Sequence, residues 1–234
     1  MSLTVLITGF GPFPGAPLNP TTALPERLAT RRRPGFADVK RIAHVFRTSY
    51  AAVDRELPTL IKRVRPDVVL LFGVATRTNY LRIELRARNA RSPLFPDAAG
   101  DRPGTGTIAL GEPSTRAGRA PHRALLAAVR AQRLPARLSH TAGRYLCNFA
   151  YWHALAATDA VAVVQFVHVP TVRRGPTRPV SGRQLTPADL ARAGEAIVMA
   201  LIVAARVRRR RTTRARATSA VVEVEAQPKQ RRVG

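Results

Sequence analysis

The chain contains one cysteine, Cys147, in the stretch Thr141-Ala142-Gly143-Arg144-Tyr145-Leu146-Cys147-Asn148. The thiolate, not the thiol, is the attacking form of cysteine, and a helix N-terminus favours it. A glycine-containing turn followed by the apolar, helix-compatible residues Leu146, Phe149, Ala150, Tyr151 and Leu155 predicts such a position for the sulfur. A lone cysteine also serves as a small buried hydrophobe, so residue type alone leaves both readings open. A nucleophile of this kind needs a base, and the base needs a group to orient it. Of the five histidines only His168 ends a buried-strand pattern, and a strand-end histidine is either structural or a base. Glu84 lies among arginines on the polar side of the alternating segment 81–89. The alternation by itself describes a surface carboxylate in cross-strand ion pairs.

The elements that must carry these residues are legible as short buried strands and longer amphipathic helices. Residues 3–8 read as a buried strand that ends at Gly9-Phe10-Gly11-Pro12-Phe13-Pro14-Gly15. Turn geometry asks for Gly, Pro, Asn or Asp. Phe10 and Phe13 therefore either cap the core or flank a flat apolar ligand at the carboxyl end of the strand. A helix follows Asn19-Pro20 up to about residue 30, residues 39–46 form a strand, and residues 49–64 form a helix with Tyr50, Val53, Leu57, Leu60, Ile61 and Val64 on one face. Residues 68–72 are the most continuous apolar run and predict a central parallel strand closing at Gly73. Residues 81–89 predict one half-exposed strand, and the Pro- and Gly-rich residues 92–114 a long surface connection with a brief strand at 107–110. Helices are expected at 121–133, from Cys147 to about 157, and at 186–205, with a strand at 160–170 between the last two.

Composition bounds the class. A chain of 234 residues with 45% hydrophobic content fits one α/β domain. One cysteine permits no internal disulfide and no cysteine-rich zinc site, which suits a reducing compartment. The N-terminus lacks the pattern of a signal peptide, and no segment approaches the roughly 18 apolar residues of a membrane span, so a cytoplasmic, membrane-free protein is expected. The net charge of +25 favours polyanions through long-range attraction. Residues 206–234 hold ten Lys or Arg against two Glu, leaving +17 on the rest. They are expected to form a disordered basic tail with non-specific polyanion contact, outside a domain of residues 1–205. A basic surface without a nucleic-acid function is the plainer reading of the remainder.

Three stretches together resemble one family, the type I pyroglutamyl peptidases, also called pyrrolidone-carboxylate peptidases. They are Val5-Leu6-Ile7-Thr8-Gly9-Phe10-Gly11-Pro12-Phe13 with Asn19-Pro20, then Thr141 to Asn148, then Phe166-Val167-His168-Val169-Pro170. Glu84, eleven residues after Gly73, falls where the family has its glutamate, with Asn89 at the expected interval. The resemblance implies a single-domain three-layer sandwich: an open twisted, mostly parallel sheet with helices on both faces. It implies a cysteine exopeptidase that cleaves after an N-terminal pyroglutamate without metal or cofactor, with Cys147 as nucleophile, His168 as base and Glu84 orienting it. Substrate contacts would come from Phe10, Phe13, Asn19, Val74, Tyr145 and Leu146, with Phe10 and Phe13 sandwiching the lactam ring. Arg91 would assist the oxyanion if a short deletion is allowed in the alignment. The family commonly forms multimers, which makes a homo-oligomer an expectation.

Two departures bear on substrate. Where the family has Gly-Gln-Ala-Gly-Gly-Arg, this chain has Gly73-Val74-Ala75-Thr76-Arg77-Thr78, and the acidic residues that usually follow Asn89 are absent. The alternatives are therefore a cysteine amidase of the same architecture with another small acyl or lactam substrate, or a basic nucleic-acid-binding protein on this scaffold.

Overall fold

Runs of branched residues too short for a helix, each bounded by glycine, proline or aspartate, form the sheet. The computed structural model describes residues 2–92, 96–104, 106–172 and 184–225, with the side chains of the last helix described to residue 215. In chain order the elements are β1 (Leu3–Phe10), α1 (Leu24–Thr30), β2 (Val39–Phe46), α2 (Tyr50–Val64), β3 (Val68–Val74), β4 (Leu81–Glu84), β5 (Arg86–Arg88), β6 (Thr115–Ala117), α3 (His122–Ala131), β7 (Ala136–Ser139), α4 (Leu146–Ala157), β8 (Val163–Val169) and α5 (Pro187–Glu225). Six strands form the main sheet in the order β2-β1-β3-β8-β4-β7, while β5 and β6 form a separate antiparallel pair. All pairings in the main sheet are parallel except β4 with β8.

Because side chains alternate along a strand, each central strand feeds two cores. Val5 and Ile7 of β1, Leu70 and Phe72 of β3, and Val167 of β8 pack with residues of α1, α3 and α5. Leu6, Leu71, Val164 and Phe166 point the other way and pack with α2 and α4. The sheet is thus covered on both faces, which is why β3 and β8 carry apolar residues almost without interruption. Ser49 caps α2 by accepting the Ala52 N–H at 3.1 Å, and the Asp97 carboxylate accepts the Tyr50 N–H at 2.9 Å. Helix α4 is apolar nearly all round and is buried between α2 and the sheet. Among the described residues no helix is long and apolar enough to cross a membrane.

Three local expectations are corrected, and one strand is additional to those expected. The segment 81–89 does not continue as one strand. After Glu84 the chain leaves the sheet, Leu85 donating to the Ser139 carbonyl and accepting from the Gly118 N–H, and resumes as β5 beside β6. The brief strand expected at 107–110 is absent, because Asn89 Oδ1 takes up the N–H groups of Ile108 and Ala109 at 2.7 and 2.9 Å. Strand β7, only four residues long, gives too little alternation to be read from sequence. Finally, the helix expected to stop at Ala205 runs on to Glu225. Arginine and alanine are good helix formers, and the first arginines of the extension find partners on the body. Arg206 pairs with Asp38 at 2.7 Å, Arg209 with Asp67 at 3.7 Å, and Arg208 donates to the Arg119 carbonyl at 2.5 Å. The basic segment therefore begins as a docked helix, and the part of the expected tail beyond residue 225 lies outside the described residues.

Candidate active site

The register of β3 and β8 pairs Gly73 with His168 at the carboxyl ends of two adjacent parallel strands. Strand β4 enters antiparallel and sets Arg82 opposite His168. Glu84, two residues on, shares the face of Arg82. Its Oε1 stands 2.8 Å from His168 Nδ1. An ionised carboxylate can only accept, so Nδ1 carries the proton and Nε2 is left for the sulfur. Glu84 is fully buried and His168 is 5% exposed.

Cys147 is the second residue of α4 and half-buried, and it stands close enough to His168 for its charge to raise the pKa of the imidazole. The sulfur lies against β3: a Cβ built on Gly73 would fall 2.7 Å from Cys147 Sγ and 2.8 Å from Phe166 Cζ. Gly73 is in an extended strand, so glycine is needed there for room and not for an unusual backbone angle. The first N–H groups of a helix have no intrahelical acceptor, so the start of α4 offers donors beside the sulfur. Burial lowers the pKa of His168, but the charge of Cys147, followed by the hydrogen bond and charge of Glu84, outweigh it and raise the pKa to about 9. The arrangement can move a proton from thiol to imidazole while the carboxylate steadies the resulting cation.

The surrounding wall is aromatic. Phe10, Phe46, Tyr50, Leu146, Phe149 and Phe166 belong to one apolar cluster against which Tyr145 and Cys147 pack. Phe10 is buried on Phe46, with ring centroids 5.9 Å apart. Phe13 is half-buried in the following loop, where Phe13 and Ala16 exchange backbone hydrogen bonds. Asn19 is buried, but its amide donates to the Gly11 carbonyl at 3.0 Å and its oxygen accepts from Thr21 N and Oγ1. Asn19 thus braces the Phe10–Phe13 loop. Val74 is half-buried at the end of β3, paired with Val169.

Tyr145 donates its hydroxyl to the Pro96 carbonyl at 2.8 Å, and its pKa is pushed up to about 12 by burial and then by the charges of Asp97 and Cys147. Arg91 is half-buried, its backbone N–H on the Gly106 carbonyl and its guanidinium 3.4 Å from the Thr107 carbonyl. Its charge reaches Tyr50, but no hydrogen bond among the described residues joins it to Cys147 or His168.

Sequence reasoning missed four residues here. Arg82 lies 3.1 Å from Glu84 Oε1, and the signal was its position two residues before Glu84 on the same strand face. Gly73 carries only the signal of a strand end, and nothing in the sequence marks it as the seat of the sulfur. Asn148, next to the cysteine, clamps the segment after β5 by accepting from Arg88 N at 2.7 Å and donating to the Arg88 and Ala90 carbonyls at 2.8 and 3.1 Å. Tyr50, on the apolar face of its helix, meets Tyr145 and Phe149 edge to face, and its buried hydroxyl has no hydrogen-bond partner among the described residues.

The sequence profile of the family described as pyroglutamyl peptidase matches residues 3–210. The pyrrolidone-carboxylate peptidase of Thermococcus onnurineus is 33% identical over 173 residues, 73% of this chain and 84% of that protein. Pyrrolidone-carboxylate peptidase 1 of Ralstonia nicotianae is 33% identical over 170 residues, 71% of this chain and 78% of that protein. Among solved structures, the pyrrolidone carboxyl peptidase of Thermococcus litoralis superposes with a TM-score of 0.75 at 27% identity, covering 86% of this chain and 94% of that one. The enzyme of the same name from Thermus thermophilus gives 0.73 at 28% identity, covering 84% and 100%. With the profile spanning nearly the whole described body and relatives aligned over most of their own length, the chain belongs to the pyroglutamyl peptidase family.

Proposed function

We propose that this protein is a cysteine exopeptidase that removes N-terminal pyroglutamate from peptides. The observation that carries the reading is the line Glu84, His168, Cys147, built from three elements and ending with the sulfur at a helix N-terminus. Cys147 gives its proton to His168 and attacks the carbonyl that joins pyroglutamate to the next residue. His168 returns that proton to the leaving amine as the C–N bond breaks, leaving a thioester. Water, deprotonated by His168, then releases pyroglutamate and the free thiol. Glu84 orients the imidazole and stabilises its charged form. The N–H groups at the start of α4, with Arg91 as a further donor, face the tetrahedral oxyanion, a kind of stabilisation worth roughly 3 kcal/mol. Phe10 and Phe13 wall the flat, neutral lactam, with Val74, Tyr145 and Leu146 beside it, and Asn19 fixes the loop that presents the two rings.

Arg210 and Arg211, exposed on the extension of α5, are available for salt-sensitive contact with polyanions. Self-association into a homo-oligomer is tested by sedimentation.

The experiment for the activity is release of a chromophore from a pyroglutamyl amide by the wild type and by Cys147→Ala, under reducing conditions. Turnover that vanishes in the variant supports both the activity and the nucleophile. A folded wild type whose Cys147 is alkylated by iodoacetamide but which leaves pyroglutamyl amides intact would reject the substrate and point to another amide.

A further inference from the structure

Arg82 makes three contacts that no part of the reaction above uses. Its Nη2 is 3.1 Å from Glu84 Oε1, the same oxygen that meets His168 Nδ1 at 2.8 Å. The same nitrogen donates to Ser139 Oγ at 2.8 Å and to the Thr141 carbonyl at 2.6 Å. One guanidinium therefore touches the carboxylate, the end of β7 and the turn that leads into the helix of the nucleophile. Among the described residues Glu84 Oε2 is buried with no hydrogen-bond partner, so the compensation of this carboxylate is concentrated on one oxygen and two donors, His168 and Arg82.

The two donors are not equivalent through a reaction cycle. An imidazole supplies a counter-charge only while it is protonated, whereas a guanidinium is charged at every accessible pH. On the Cys147, His168, Glu84 reading, on which this inference rests, His168 is the cation when the thiolate forms and attacks. In the thioester the sulfur is neutral, and His168 must be neutral to accept a proton from water. Glu84 is then a fully buried carboxylate beside a neutral ring, and Arg82 is the cation left in contact with it. The other titratable or charged groups around the pair do not take that place. From α4 these are Cys147, neutral in the thioester, and Tyr151, which donates to the Glu84 backbone carbonyl at 3.3 Å and whose pKa is raised by burial. Arg119 and His122 stand beyond Tyr151; the charge of Arg119 is felt there, and burial lowers the pKa of His122.

We propose that Arg82 is a positioning residue for the second half of the reaction, acting through Glu84. It supplies the counter-charge that the buried carboxylate needs while His168 is neutral, and it fastens the residue 139–141 turn to that carboxylate. Removing it leaves Glu84 to hold the proton on His168 more tightly, which hinders deacylation more than acylation.

The test uses the full chain and its variants Arg82→Gln and Arg82→Lys with a p-nitrophenyl ester of pyroglutamate, for which acylation is fast and hydrolysis of the thioester limits turnover. For Arg82→Gln, kcat is expected to fall about tenfold, a fraction of what a general base contributes. In the same variant kcat/KM should stay within about threefold of the wild type, and the acidic limb of kcat should move to higher pH. Arg82→Lys, which keeps the charge, should recover most of kcat. Equal losses in kcat and kcat/KM with Lys no better than Gln would reduce Arg82 to a structural tether and overturn the proposal, as would an unchanged kcat. If the wild type hydrolyses no pyroglutamyl compound, the activity reading fails by itself. The proposal is then read from iodoacetamide alkylation of Cys147, where the upper inflection, set by loss of the His168 proton, must move to higher pH in Arg82→Gln. An unmoved inflection overturns it.

Discussion

Replacing Gly73 by alanine tests the geometry of the site with one methyl group. The added Cβ would lie 2.7 Å from Cys147 Sγ and 2.8 Å from Phe166 Cζ. Non-bonded heavy atoms of this kind prefer roughly 3.5–4.0 Å, so the sulfur must retreat by about 1 Å. Phe166 has no space to yield, being fully buried between Tyr151 and His168 at ring distances of 5.8 and 4.9 Å. A displacement of about 1 Å at a reacting atom costs on the order of 100-fold in rate, which is about 2.7 kcal/mol of transition-state stabilisation. The same overpacking should lower stability by about 1–3 kcal/mol. The assay is release of a chromophore from a pyroglutamyl amide, with kcat and KM determined separately and folding followed by circular dichroism. The expected result is a loss confined to kcat, with KM near the wild-type value, because the lactam wall is untouched. A Gly73→Ala protein with wild-type kcat would refute the placement of the sulfur on β3 and the proton path built on it.

Three further predictions concern the surroundings. Asn148→Ala should destabilise the fold by about 1–3 kcal/mol, because it takes the partner from part-buried backbone groups of Arg88 and Ala90; urea unfolding measures it, and a change under about 0.5 kcal/mol would be the range for an ordinary surface site. The pKa of His168 is raised above its unfolded value of about 6.5 to about 9, so its contribution to stability is complete below about pH 6.5 and disappears as pH rises through 9. The stability gap between wild type and His168→Gln, from urea midpoints at several pH values, should therefore narrow over that window, and a gap that widened would contradict the assigned direction. Ending the chain after Ala205 removes ten Lys or Arg and two Glu and takes the net charge from +25 to +17. Elution from heparin should move to lower salt without being abolished, and the melting temperature should fall through loss of the Arg206 and Arg208 contacts.

The elements that sequence could place were those whose signal is local. The runs ending at Gly73 and Pro170 and the amphipathic face of α2 each satisfy one periodicity over their whole length, and the structure places them within a few residues of the expected ends. The position of Cys147 at a helix start was legible for the same reason. The environment of Glu84 was not. Alternation across 81–89 describes which residues share a face, but not that Glu84 is buried against His168 of the neighbouring β8 and under Tyr151 of α4. A pattern that reads as a surface ion pair thus belongs to a fully buried carboxylate. The end of α5 failed differently. A run of arginine cannot bury itself, but it can lie on carbonyls and carboxylates supplied by distant loops, Asp38, Asp67 and Arg119, and no window of sequence contains those partners.

The contrast between Gly73 and the loop after it separates what the chemistry requires from what it tolerates. Of the three glycines in the family pattern given above, this chain keeps the one against which the sulfur lies and replaces the other two by Thr76 and Arg77. Those two side chains are exposed, and the turn they occupy is closed by the Thr78 N–H on the Ala75 carbonyl at 3.3 Å, so they enlarge the loop toward solvent without crowding Cys147. Of the two remaining changes, Thr78 is half-buried and closes that turn, while Val74 is half-buried and ends β3, beyond which the Ala75 N–H still bonds to the Val169 carbonyl at 2.8 Å. The backbone path past the nucleophile is therefore held by β8. A substrate effect of the altered loop should enter mainly through the Val74 side chain, which follows directly on Gly73. Val74→Gln should then change KM for pyroglutamyl amides and leave kcat near the wild-type value. A fall in kcat with KM unchanged would instead mean that the loop helps to set the position of the sulfur.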